Sequence, residues 1–119
     1  MSEGNETLAL ALTLVKGARS LLDNPRNWTK HALARTASDT PVDSANPEAV
    51  CWCLVGALSK TRMKQGVKDE NAIAIVTAIT DRAVYDRTPD LNRVEFNDHL
   101  HTTHRDVLDV LDAAITLLS

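Results

Sequence analysis

Pro47-Glu48-Ala49-Val50-Cys51-Trp52-Cys53-Leu54-Val55-Gly56-Ala57-Leu58 is the stretch on which the reading of this chain turns. It follows Asn46, a good helix-capping residue, and Pro47 suits a first helical position, where its missing N–H costs nothing. From Ala49 to Leu58 no side chain is charged and none is hydroxylated. A helix apolar on every side belongs in an interior. The pattern therefore predicts one central core helix over 47–65, stopped by Gly66. Gly56 within it costs ~1 kcal/mol against Ala, so a reason is expected. Close approach of a neighbouring helix or loop is the simplest.

On the N-terminal side, Leu8, Ala11, Leu12, Val15, Ala18 and Leu22 recur at helical spacing, predicting a helix over 7–23 behind a flexible tail of residues 1–6. Asn24-Pro25 ends it. Residues 24–46 read as a long irregular connection, anchored by Trp28 and closed by turn-rich polar runs. On the C-terminal side, Ala72, Ile75, Val76, Ile79 and Ala83 predict a helix over 69–85. Six of the eight residues from Ile73 to Thr80 are β-branched, a strand-like feature with no evident partner strand. Residues 86–102 read as a second irregular segment. A last helix begins at Thr103, whose hydroxyl caps it while Asp106 completes a capping box. The expected fold is thus all-α: one domain, 1–119, of four helices around a central apolar helix, with two long loops.

The chain has 119 residues, 44% hydrophobic and 24% charged, ordinary for a single globular domain. Aromatics make up only 3%, so the core must rest on aliphatic side chains. A net charge of −3 gives no overall steering toward nucleic acid, and the Lys60, Arg62, Lys64 and Lys68 group reads as a solvated helix end. No apolar run approaches the ~20 residues of a membrane span, and the N-terminal apolar segment lacks the basic flank of a signal peptide. In a helix, Cys51 and Cys53 would point about 200° apart, at ~100° per residue, and would not pair. The expectation is a reducing, cytoplasmic setting.

Several polar constellations stand out. Trp28-Thr29, Arg35 and Pro41-Val42-Asp43 lie in the first loop, Trp52-Cys53-Leu54-x-Gly56-Ala57-Leu58 in the apolar stretch, and Asn97-Asp98 ahead of the last helix. Together they resemble a family of small bacterial and phage proteins known as domain of unknown function number 6197, over nearly the whole chain. The resemblance implies no established reaction. The chain departs from the family pattern at Phe96, where a Trp is expected, and at Thr40, where a Gly is.

Cys53 or Cys51 with His99 and Asn97 or Asp98 supplies the elements of a thiol enzyme. Mid-helix cysteines in apolar surroundings are, however, inert hydrophobes. His99, His101 and His104, with Asp98 and Asp106, offer metal-ligand chemistry at a spacing that matches no established motif. Asn97-Asp98 reads first as a turn-forming pair. The sharper reading is a polar-rimmed pocket made by Trp28, Arg35, Trp52, Cys53, Asn97 and Asp98, with Arg35 paired to Asp98 or Asp43. The expected function is a non-enzymatic accessory or interaction module whose partner is a protein, itself or another, with no cofactor, metal or membrane. The alternative is a small-molecule or metal-binding protein or enzyme, using a pocket between loops 24–46 and 86–102.

Overall fold

Ala11, Leu14, Val15 and Ala18 lie buried along one face of α1 (Glu3–Leu21), followed by buried Leu22. Around that face pack α2 (Leu54–Gln65), α3 (Glu70–Arg87) and α5 (His104–Leu118), so α1 is the centre of the helical layer. The structure is a computed structural model that describes residues 3–119, with side chains from Asn5 onward. α1 takes in residues 3–6 of the expected tail; residues 1 and 2 lie outside the described residues. Three helix starts are built from local chemistry. Asp69 caps α3, Asn92 and Glu95 form a capping box on the short α4 (Arg93–Asp98), and Thr103 with Asp106 forms the expected one on α5. The β-branched 73–80 run is helical, with Val76 and Thr80 buried where α3 meets its neighbours. Among the described residues no helix is long and apolar enough to cross a membrane.

The all-α expectation is overturned. The chain also carries a three-stranded antiparallel sheet of β1 (Ala34–Thr36), β2 (Pro41–Val42) and β3 (Ala49–Trp52), in the order β2-β1-β3. Ala34 faces Val42 on one side and Trp52 on the other. The expected central helix is in fact strand followed by helix. Asn46 does cap, but it caps a turn: its Oδ1 accepts from the Glu48 N–H at 2.8 Å, and the Ala49 N–H returns to its carbonyl at 3.0 Å. The chain then leaves extended through Val50, Cys51 and Trp52; Val and Trp favour strands, and Cys51 and Trp52 pair with Arg35 and Ala34 in the supposed loop. β1 and β2 are joined by a tight turn in which Asp39 adopts φ 67°, a left-handed conformation that Asp tolerates.

The true start of α2 is Cys53, whose Sγ accepts from the Gly56 N–H at 3.2 Å. Gly56 has the reason the sequence demanded. A Cβ there would run into the carbonyl of Leu33, which itself accepts from the Cys53 N–H at 3.1 Å. The segment before β1 therefore lies directly on the first turn of α2. Trp52 buries its ring beside this junction and donates Nε1–H to the Ser44 carbonyl at 2.9 Å.

Candidate functional site

The site grows from Asn97, a buried amide at the end of α4. Its Oδ1 accepts from Trp28 Nε1–H at 2.8 Å and from the Leu54 N–H at 3.0 Å. Its Nδ2 donates to the Thr29 carbonyl at 3.1 Å and to Asp98 Oδ1 at 3.0 Å. The indole and the backbone N–H are obligate donors and the carbonyl an obligate acceptor, so only one orientation of the amide satisfies all three. One side chain thus ties the first loop, the start of α2 and α4 together. Trp28 is further enclosed by the His104 ring, 6.1 Å away, and by Lys30 Nζ, 5.4 Å from its ring centroid.

Next to this clamp is a cavity of about 220 Å³, walled by Ala32, Leu33, Val55 and Val94 and bearing Cys53 and Asp98. Its two sides come from the segment before β1 and from α4, with the start of α2 between them. Asp98 Oδ1 accepts from Asn97 and from the His31 N–H at 2.9 Å. Among the described residues, Asp98 Oδ2 has no hydrogen bond, the exposed His31 ring lying nearby with Nδ1 3.7 Å away. His31 holds its place with φ 64°, a left-handed conformation uncommon outside glycine. Burial pushes the Cys53 thiol above its ordinary range and Asp98 pushes the same way, outweighing the N–H groups of Gly56 and Val55 that favour the thiolate. At neutral pH Cys53 is a protonated thiol that caps a helix.

The residues picked from the sequence therefore divide. Trp28, Asn97, Asp98 and Cys53 come together. Trp52 lies behind them and faces Ser44. Arg35 is elsewhere: its guanidinium bonds Thr29 Oγ1, the Lys30 and Asp39 carbonyls, and the Asp39 carboxylate at 3.8 Å, not Asp98 or Asp43. The three histidines do not converge. His99 and His101 sit at the surface with rings 5.6 Å apart, while His104 Nε2 is engaged by the Leu22 carbonyl at 2.6 Å. Among the described residues no three His, Cys, Asp or Glu side chains form a metal-binding group. Reading from the sequence missed His31 and Leu33. The Asn92-x-x-Glu95 spacing, a capping-box signature, was the readable sign that Asn97 lies on a helix rather than in a loop.

A family of unknown function (DUF6197) matches residues 7–117. No curated protein and no protein of solved structure matches the chain.

Proposed function

Since the chain belongs to the family of unknown function DUF6197, whose description carries no reaction, we propose a function from the site itself: a cytoplasmic, non-enzymatic interaction module that takes a basic side chain of a partner protein into the cavity beside Asn97. The observation that carries this reading is Asp98. Its Oδ1 is held by Asn97 and by the His31 backbone, leaving Oδ2 to accept from a cation entering a largely apolar cavity. Leu33, 45% exposed, and Val94, 54% exposed, flank the opening and offer apolar contact to the rest of a docked peptide. A cavity of this volume falls below the ~300–1,000 Å³ of sites for drug-sized ligands and suits one side chain. The protonated, helix-capping Cys53 speaks against thiol catalysis, and two free thiols suit a reducing compartment.

Amide NMR of the full chain, titrated with N-acetyl-lysine methylamide, N-acetyl-arginine methylamide and the uncharged norleucine analogue, tests the proposal. The basic analogues should move the signals of His31, Leu33 and Asp98, and the norleucine analogue should not. Asp98→Asn keeps an acceptor for the His31 N–H and should abolish the response while leaving the remaining spectrum in place. Equal responses to all three analogues, or none in the millimolar range, would refute it.

A further inference from the structure

A second cleft, of about 200 Å³, opens where α2 and α3 diverge over α1. Its apolar wall is built from Leu14, Val55, Leu58, Ile73 and Val76, and Val55 separates it from the cavity beside Asn97. Its polar groups are the Ser59 and Thr77 hydroxyls and the guanidinium groups of Arg62 and Arg93; among the described residues no carboxylate lines it. Arg62 distinguishes this cleft. Four arginines of the chain are half-buried, namely Arg19, Arg35, Arg62 and Arg93. Arg19, Arg35 and Arg93 each have an aspartate within 4.0 Å, whereas among the described residues the Arg62 side chain has neither an ion pair nor a hydrogen bond. An arginine half-buried at the wall of an apolar cleft, its charge matched by no counter-ion among the described residues, is suited to bind an anion.

From this we infer that the cleft binds a small monocarboxylate with a short aliphatic tail. The carboxylate pairs with Arg62, assisted by the Ser59 and Thr77 hydroxyls, and the tail lies against Leu58, Ile73 and Val76. Arg93 is already committed to Asp81 at 2.9 Å, so it contributes positive potential more than a free fork. The limited volume sets the size of the tail: a chain of a few carbons fits, and a long-chain fatty acid does not.

Hexanoate titrated into the full chain, followed by amide NMR, should shift the signals around Ser59, Arg62 and Val76. Hexanol and hexylamine share the tail and should bind at least tenfold more weakly. Acetate shares the head group and should do the same. Arg62→Gln should weaken hexanoate at least tenfold with the helical content unchanged, because among the described residues the side chain holds no hydrogen bond or ion pair and Gln keeps part of its aliphatic stem. The inference fails if hexanol or acetate matches hexanoate, if Arg62→Gln binds as well as the parent, or if hexanoate moves no cleft signal. Should that variant misfold, the comparison of hexanoate with hexanol and acetate on the parent chain decides alone.

Discussion

Both acceptor directions and both amide hydrogens of Asn97 are in use, and that completeness makes the residue irreplaceable by its nearest isostere. Truncation to Ala strands Trp28 Nε1–H, the buried Leu54 N–H and the Thr29 carbonyl. A buried polar group left without a partner costs about 1–3 kcal/mol. Asn97→Ala should therefore lower stability by roughly 3 kcal/mol, read as a shifted midpoint in urea at an unchanged slope. Asn97→Asp is the sharper probe. A carboxylate still accepts from Trp28 and Leu54, but its second oxygen then faces the Thr29 carbonyl and Asp98, where an N–H₂ had donated. It should destabilise as much as Ala at neutral pH despite its matched shape. If the Asp variant proves as stable as the parent, the amide is not the clamp described.

At the scale of elements, the instructive place is the join between β3 and α2. The apolar run over 49–58 was legible as interior, and from Trp52 to Leu58 most of it is, though Val50 on β3 is exposed; period alone does not separate a short strand from a buried helix. Asn46-Pro47 tipped the reading toward helix because an Asx-capped turn and a helix N-cap begin with the same hydrogen bond. The cap of α5 was readable because its donors and acceptors lie within four residues of each other. The sheet was not, because β1 is three residues long and its partner β3 is distant in sequence. The same holds for the site: Trp28 and Asn97 were singled out separately, but only the fold brings positions 69 residues apart together. The corrected boundary gives Cys53 a definite job. Cys53→Ser keeps a side-chain acceptor for the Gly56 N–H and should hold the melting temperature near that of the parent. Cys53→Ala removes the cap and should cost about 1 kcal/mol. A helix beginning at Pro47 would place Cys53 in its second turn and make the Ala variant the neutral one, so thermal melts of the pair decide between the two.

For the whole molecule, helices far apart in sequence are tied by charge as well as by apolar contact. Arg19 reaches Asp112 at 2.8 Å, joining α1 to α5, and Arg87 reaches Asp106 at 2.6 Å, joining α3 to α5. Surface pairs of this kind, partly exposed, contribute little each, about 0–1 kcal/mol. Asp106 is the better placed because it also accepts from the Thr103 N–H at 2.8 Å and completes the cap of α5. The Thr103 backbone N–H, then the Arg87 guanidinium, hold its carboxyl below the ordinary Asp range, against the opposing effect of burial. A depressed folded-state pKa means that the unfolded chain binds the proton more readily. The stabilisation is accordingly present above the unfolded value, ~3.9, and is lost as pH falls through the lower folded value. Asp106→Asn retains an oxygen for the Thr103 N–H but replaces the one that accepts from Arg87 by an amide N–H₂, so it removes the charge and that hydrogen bond together. At pH 7 it should be less stable than the parent by about 1 kcal/mol, a charge lost both from the first turn of a helix and from an ion pair. Followed by urea denaturation from pH 7 to pH 2, the two chains should converge as the parent's carboxylate takes up its proton. A gap that stays constant across that range would mean that the charge of Asp106 does not hold α3 and α5 together, and that the cost of the substitution lies in the geometry of the cap.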